Sequence, residues 1–407
     1  MKNAFFYFIV FPFYGLIQAV RNYRLPWAKN MVWLFVVFHG YTMYRPELTD
    51  STRYVQKLID ISNSKRTWDN FLLSFYSIDN EGKATVDIYE PLMTNFVSLF
   101  TQNGSILFAF FGIVYGYFYS RNIWLIVEEI KKNQSPRFFW VLIFVFASVI
   151  GFWELNGVRM WTAAHVFFFG VFQVLLKNNK KGLICIFASI LIHFSFGLPI
   201  LVFLVFYIFR LSFRLSYLIF ISSFLINSLD IKFIGGILEN VLPELLLPRL
   251  ESYSNDEYVE TVEILNQSAN WYIQYFSKVL NFTIAVVITV IYFIKERKYR
   301  NDKTLINFTI LSLLLLTIGN LMSSLPSGVR YSILAQLFGV AVIILYYIKY
   351  NSKYYQKAIL YSIPFFLFFL VVSIRISFNT ISIMALCSNP LLASIIGTNF
   401  PLIDLIK

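Results

Sequence analysis

Long apolar runs recur along the whole chain, and they constrain its fold more than any other feature. About a dozen runs approach the length that a helix needs to cross the roughly 30 Å hydrocarbon core of a membrane. Inside lipid, every backbone N–H and C=O group must be hydrogen-bonded within the protein, so each run is predicted to be helical. Only 14% of the 407 residues are charged, against about 25% in soluble domains. These features predict an all-α polytopic membrane protein.

The predicted membrane helices extend from one end of the chain to the other. The first is interpreted as a retained span because no small-residue cleavage site follows it. The predicted spans lie near 4–20, 31–44, 104–120, 138–154, 160–176, 183–196, 197–210, 215–229, 272–294, 304–323, 331–348 and 358–375. We therefore expect about 12 transmembrane helices, within a single integral membrane domain over residues 1–407.

Charge separates the connections between these helices into two groups. About twenty of the 34 lysines and arginines lie in "RNYRLPWAKN", "SRNIWLIVEEIKKNQSPR", "KNNKK", "RLSFR", "KERKYRNDK" and "KYNSKYYQK". The positive-inside rule places these connections in the cytoplasm, which accounts for the net charge of +12 without a nucleic-acid partner. Two long acid-rich segments, about 45–103 and 230–271, are then external and are expected to cap an outward-facing cavity. The apolar stretch 88–100 predicts an amphipathic or re-entrant helix in the first of them.

Two outward turns, "ELNGVR" and "LPSGVR", each place an arginine at the start of a predicted helix. A helix N-terminus presents unpaired N–H groups, and an arginine there adds a planar fork that suits phosphate oxygens. Arg159 and Arg330 are therefore predicted to bind a pyrophosphate. The alternative is that each arginine only extends to the membrane interface, with Glu154 as the partner of Arg159.

Acid–base chemistry has three candidates on the same outward side. His193, which precedes an outer Gly-Pro turn, is the first candidate, either as the activating base or as a contact for the pyrophosphate. Glu90 and Asp50 come next, in the first external segment, where a water-exposed carboxylate can act as a general base. A single histidine in an apolar run is more often a hydrogen-bonded core residue, and His39 and His165 are assigned to structure. The sequence has no HExxH, Asp-x-Asp, cysteine-pair, P-loop or G-x-S-x-G motif, so no metal, cofactor or serine hydrolase is predicted.

The motifs around Arg159 resemble a known family. The block "NGVRMWTAAHVFFFGVFQVLLKNNKKGLICIFASILIHFSFGLPILVF", which contains Arg159 and His193, is similar to the central block of EpsG-like, Wzy-type polysaccharide polymerases. "SGVRYSILAQLF" resembles the second arginine block of that family.

Upstream residues extend the resemblance. Arg45, Asp50 and Tyr54 resemble the family's arginine followed by G-x-D-x-x-x-Y, although Leu48 stands where the pattern has glycine. Glu90 and the proline after it resemble the family's E-P before a helix.

The resemblance implies a metal-independent membrane glycosyltransferase, similar in architecture to GT-C enzymes, that makes O-antigen of lipopolysaccharide, capsule or exopolysaccharide. Such a polymerase transfers the growing glycan from undecaprenyl pyrophosphate to the non-reducing end of the next lipid-linked repeat unit. It acts on the outer face of the bacterial cytoplasmic (inner) membrane. Its implied partners are the lipid-linked donor and acceptor, the bilayer and a chain-length regulator. Arg45, Tyr54, Asn156 and Tyr253 are then expected to contact the glycan.

Three alternatives remain open at the level of sequence. An O-antigen ligase uses the same pyrophosphate donor with a different acceptor, and a membrane O-acyltransferase is a third kind of enzyme. A lipid-linked oligosaccharide flippase suits about twelve spans. However, transporters bind near the membrane midplane between repeated halves, and the sequence has neither midplane charges in most spans nor two similar halves.

Overall fold

The computed structural model describes the chain except for residues 1, 48, 66, 77–86, 131–135, 226–269, 295–298, 300, 324–326, 351, 397–399 and 407. Within the described part the regular structure is helical, and extended pairing is limited to an isolated bridge between Ser382 and Pro401. The all-α class predicted from sequence is therefore confirmed. Most of the external segment predicted at 230–271 lies outside the described residues.

The helices follow the predicted order closely. They are α1 (Lys2–Val10), α2 (Pro12–Arg21), α3 (Ala28–Thr42), α4 (Asp50–Asn63), α5 (Trp68–Tyr76), α6 (Tyr89–Ser98), α7 (Gly104–Ile130), α8 (Phe139–Val149), α9 (Val158–Leu175), α10 (Gly182–Ile192), α11 (Gly197–Phe209), α12 (Phe213–Ser222), α13 (Trp271–Ile294), α14 (Lys303–Met322), α15 (Val329–Lys349), α16 (Lys353–Ser377), α17 (Ile383–Cys387) and α18 (Pro390–Ile395). Short 3-10 helices cover Phe152–Gly157, Phe194–Phe196 and Leu402–Leu405.

A polytopic membrane architecture is confirmed by the apolar helices. Five helical stretches among the described residues are long and apolar enough to cross a membrane: Phe139–Leu175, Trp271–Ile294, Lys303–Met322, Val329–Lys349 and Lys353–Ser377. Shorter apolar helices cover Gly182–Ile192, Phe194–Phe209 and Phe213–Ser222. A helix lies at each predicted position, but the first predicted span is divided between α1 and α2.

The connections gather at two ends of the helix bundle according to their charge. At the basic end, side-chain contacts join Asn30 to Arg121, Glu129 to Lys177 and Asp302 to Lys349. At the opposite end, backbone hydrogen bonds join Tyr44 to Thr380 and Ile88 to Leu191. This separation agrees with the alternation of helices predicted from the charge pattern.

The longest apolar stretch, Phe139–Leu175, is a helical hairpin. α8 starts at the basic end, where the Trp140 ring lies 4.7 Å from the ring of Tyr23. At the opposite end the 3-10 helix Phe152–Gly157 reverses the chain, and α9 returns toward the basic end. Arg159 therefore lies in the first turn of α9 at the opposite end, where the sequence predicts it.

Two glycines set the distance between α9 and α10. A methyl group added at Gly170 would lie 2.6 Å from the carbonyl oxygen of Gly182, and one added at Gly182 would lie 2.5 Å from that of Gly170. Small residues allow membrane helices to approach this closely. The contact fixes α10 against α9, and it therefore also fixes the far end of α10 relative to the start of α9.

We expect Gly170→Ala to destabilise the protein, because the added methyl meets backbone that cannot move independently. Overpacking of this kind costs about 1–3 kcal/mol, and the apparent melting temperature in detergent should fall measurably. Gly197→Ala is the matched control, since its added methyl would meet only Ile190 Cδ1 at 3.6 Å. Equal melting temperatures for the two variants would contradict the close approach of α9 and α10.

Candidate active site

Arg159 is held by two side chains at the start of α9. Its Nε donates a hydrogen bond to the Tyr54 hydroxyl at 2.7 Å, and its Nη1 donates to Asp87 Oδ2 at 3.0 Å. The Arg159 side chain is 17% exposed and that of Asp87 is 0% exposed, so this is a largely buried ion pair. The two contacts use two of the five N–H donors of the guanidinium.

Asp87 joins two separate parts of the chain. Its Oδ2 accepts from Arg159, while its Oδ1 accepts the backbone N–H of Phe194 at 2.8 Å. The same Oδ1 lies 4.0 Å from Nδ1 of His193. One buried carboxylate therefore connects the start of α9 with the turn between α10 and α11.

His193 ends α10 with an extended backbone and begins the 3-10 helix Phe194–Phe196. Its Nδ1 accepts the backbone N–H of Ser195 at 3.3 Å and lies 3.1 Å from the Ser195 hydroxyl oxygen. An Nδ1 that accepts a hydrogen bond is unprotonated, so neutral His193 carries its proton on Nε2. The imidazole can therefore donate a hydrogen bond from Nε2.

The second predicted arginine, Arg330, lies in the helix that contacts the His193 turn. Its neighbour Tyr331 donates a hydrogen bond from its hydroxyl to the carbonyl oxygen of Ser195 at 3.1 Å. Arg330 lies in the first turn of α15 and is partly buried. The start of α15 is thus joined to the turn that also contacts Asp87.

Glu90 is buried, although the sequence suggests a water-exposed carboxylate. Its side chain is 1% exposed; Oε2 lies 3.0 Å from Lys57 Nζ, and Oε1 accepts from the Thr94 hydroxyl at 2.8 Å. Burial results from the packing of α4 against α6. The predicted helix over 88–100 is confirmed as α6, whose apolar side chains Leu92 and Phe96 are exposed.

Asp50 is the most exposed carboxylate of this group. It is the first residue of α4, pairs with Arg53 and keeps 28% of its side chain exposed. Both Asp50 and Glu90 interact electrostatically with the Arg159 guanidinium. Three carboxylates, those of Asp50, Asp87 and Glu90, thus lie within the electrostatic field of Arg159.

Two of the predicted glycan-contacting residues hold buried polar atoms. Within the described part of the chain, Arg45 Nη1 and Asn156 Oδ1 have no hydrogen-bond partner. An unsatisfied buried group costs about 1–3 kcal/mol, so such atoms favour a ligand or a water. Burial raises the pKa of Tyr54, more than Arg159 lowers it, and its hydroxyl stays protonated at neutral pH. Tyr253 lies outside the described residues.

The structure gives Arg159 a different ion-pair partner from the one that the sequence analysis names, and that partner was not among the predicted site residues. The ion-pair partner of Arg159 is Asp87 and not the nearby Glu154. Asp87 lies 72 residues from Arg159 in sequence, so spacing alone does not reveal the pair. The available signal was the position of Asp87 just before α6, three residues ahead of Glu90, so that both acids lie at the start of that helix.

His165 has a structural environment, as the sequence analysis proposed. Its Nδ1 lies 3.2 Å from Asn122 Nδ2, and its Nε2 lies 3.2 Å from the carbonyl oxygen of Ile150. The ring also packs edge-on against Tyr115 and Tyr119. Among the described residues, no group of three or more His, Cys, Asp or Glu is arranged to hold a metal ion.

Comparison with known proteins gives one family match. The model of the EpsG family matches residues 31–387, a range that includes every candidate site residue named above. No curated protein and no solved structure gives a significant match.

We expect Lys57→Met to lower the stability of the protein by about 3–5 kcal/mol, because it leaves the Glu90 carboxylate buried without its cation. The double variant Lys57→Met/Glu90→Gln should recover most of this loss, since neither position then carries a charge. Thermal unfolding in detergent measures both effects. Lys353→Met, at an exposed lysine, is the control and should change stability by less than about 0.5 kcal/mol. Additive losses in the double variant would contradict the buried pair.

Proposed function

Because the chain belongs to the EpsG family of polysaccharide polymerase-like membrane proteins, we propose that it polymerises lipid-linked repeat units of a bacterial surface polysaccharide. In this reaction the anomeric carbon of the growing glycan loses undecaprenyl pyrophosphate and forms a bond to a hydroxyl of the next lipid-linked repeat unit. The proton of that hydroxyl passes to a base. The enzyme is a metal-independent glycosyltransferase of the Wzy type with a GT-C-like architecture.

The observation that carries this proposal is the position of Arg159. Its guanidinium lies in the first turn of α9, where backbone N–H groups and the helix dipole favour an anion. The departing pyrophosphate gains negative charge as the glycosidic bond breaks, and fixed donors lower the energy of that state. The donors of Arg159 that do not contact Tyr54 or Asp87 are suited to the phosphate oxygens.

Arg330 is assigned the second contact with the pyrophosphate. The hydrogen bond between Tyr331 and Ser195 supports this role because it holds the start of α15 beside the His193 turn. An Nε2 proton on His193 suits a hydrogen bond to a phosphate oxygen. We therefore assign His193 to the pyrophosphate in preference to the role of base.

Asp50 is assigned the role of base for the acceptor hydroxyl. Of the three candidates, it has the carboxylate most accessible to solvent, 28% exposed beside Arg53, whereas Glu90 is enclosed by Lys57 and Thr94. A base must come within hydrogen-bonding distance of the proton that it removes, and an exposed carboxylate meets this requirement more readily. Glu90 then contributes by orienting Lys57 and α6.

Glycan contacts are assigned to the remaining predicted residues. Arg45 Nη1 and Asn156 Oδ1 are buried polar atoms that a sugar hydroxyl can satisfy. Tyr54 positions Arg159 and keeps its own hydroxyl proton to donate. Tyr253 is proposed as an aromatic contact in the second external segment.

The lipid-linked donor and acceptor are the proposed partners in the bilayer, and a chain-length regulator is a further candidate.

The proposed orientation follows from charge. The basic end, with its lysine and arginine pairs, faces the cytoplasm by the positive-inside rule. Arg159, Asp87 and His193 lie at the opposite end, which then faces the exterior or periplasm. The proposed membrane is therefore the bacterial cytoplasmic membrane, with the reaction on its outer face.

Deletion of the gene from its host should leave surface glycan with a single repeat unit on its carrier. The reason is that repeat units are still made and transferred but no longer joined. Gel electrophoresis of the surface glycan measures the result. Absence of any repeat unit would instead favour a ligase or a flippase.

Complementation of the deletion strain with Arg159→Lys or Arg330→Lys should reduce polymerisation by about 10²-fold with normal expression. Arg24→Lys, at the basic end, is the control and should restore long chains.

The base can be identified by a series of variants assayed with purified enzyme and lipid-linked repeat units. Asp50→Asn should lower turnover by about 10²- to 10⁴-fold, because the amide cannot accept the hydroxyl proton. Glu90→Gln and His193→Ala should retain more activity than Asp50→Asn. Asp60→Asn, on the same helix and exposed, provides the control for a lost carboxylate. Full turnover by Asp50→Asn would rule out this assignment.

A further inference from the structure

We infer that Asp87 is a positioning residue and the internal counter-ion of the site. It holds Arg159 in place when no substrate is bound, and it releases Nη1 of Arg159 to a phosphate oxygen when the donor binds. This inference rests on the proposed function, because it assigns a role to the residue that competes with the pyrophosphate for Arg159.

The first step is geometric. The two oxygens of Asp87 contact different elements: Oδ2 accepts from Arg159, and Oδ1 accepts the backbone N–H of Phe194. Both contacts belong to a side chain that is 0% exposed. A carboxylate held in this way sets the position of Arg159 relative to the His193 turn. If Arg159 and His193 contact the same pyrophosphate, the distance between them determines whether both can bind it at the same time.

The second step is electrostatic. Asp87 neutralises Arg159 before substrate arrives, which removes the cost of leaving an unpaired guanidinium in a buried position. A bound pyrophosphate brings further negative charge beside the Asp87 carboxylate, and like charges repel strongly where water is scarce. Asp87 therefore opposes tight binding of the pyrophosphate while it keeps the cation in the geometry that the reaction needs.

The two effects act on different kinetic constants. Removal of the Asp87 charge strengthens the attraction between Arg159 and a pyrophosphate, so the donor KM should fall. The same change loosens the position of Arg159 relative to the His193 turn, so kcat should also fall. In the normal enzyme, return of Arg159 to Asp87 would assist the departure of the undecaprenyl pyrophosphate product. A residue needed only for folding would not change the two constants in this way.

The test uses the full chain in detergent, with farnesyl pyrophosphate as the binding probe and isothermal titration calorimetry as the measurement. Asp87→Asn keeps an oxygen for the Phe194 N–H but removes the charge, and we expect about tenfold tighter binding of the probe. Arg159→Gln should weaken binding, and adding Asp87→Asn to it should then give no gain. Asp60→Asn is the control and should bind like the normal protein.

Turnover with lipid-linked repeat units gives the second measurement. Asp87→Asn should show a lower donor KM together with a kcat lowered about tenfold or more. Asp87→Glu keeps the charge but displaces the oxygens. It should retain normal probe affinity, and its kcat should lie between those of the normal enzyme and Asp87→Asn. If the Asn variant does not fold, this separation of affinity from kcat in the Glu variant decides the question.

The outcomes separate the two proposals. If Arg159→Gln binds the probe as well as the normal protein, the proposed pyrophosphate contact fails. If Arg159→Gln weakens binding but Asp87→Asn binds no tighter, the counter-ion role is overturned and the proposed function stands. Loss of affinity and kcat in equal proportion in Asp87→Glu would likewise assign Asp87 to folding alone.

Discussion

The candidate site depends on one buried ion pair, that between Arg159 and Asp87. A guanidinium that is only 17% exposed must be neutralised locally, because removal of a charge from water costs several kcal/mol. Asp87 meets this requirement from the residues just before α6, and its second oxygen takes the Phe194 N–H. Among the described ion pairs, Asp87 is the one carboxylate in direct contact with Arg159. The loops and helices around the start of α9 are therefore arranged about this pair.

A second buried pair joins two helices of the segment between α3 and α7. Lys57 on α4 and Glu90 on α6 meet at 3.0 Å, and Thr94 satisfies the other carboxylate oxygen. The amphipathic helix α4 is thereby held over α6, and Tyr54 on α4 reaches Arg159. The same packing encloses Glu90 and leaves Asp50 open to solvent, so helix packing separates two carboxylates that look equivalent in sequence.

Much of the fold was predictable because it depends on local patterns. Apolar runs and the charges between them predicted the helices and the separation of the connections, and "ELNGVR" correctly placed Arg159 at a helix start. The partners of Arg159 were not predictable in this way. Asp87 and Tyr54 lie 72 and 105 residues away, and nothing in the intervening spacing specifies which acid is buried beside the cation. Glu154, the nearest acid in sequence and the partner named in the structural alternative, does not pair with Arg159; Asp87 does.

The length of α10 has a consequence for the lipid. Its 11 residues extend about 16 Å, roughly half of the hydrocarbon thickness. Because Gly182 packs against Gly170, five residues before the end of α9, α10 begins within the helix bundle, and its far end still reaches the level of the start of α9. On this face of the protein the bilayer must then thin, or the lysines that precede α10 must extend their side chains toward the headgroups. In either case the thickness of the surrounding membrane affects how firmly α10 is held against α9.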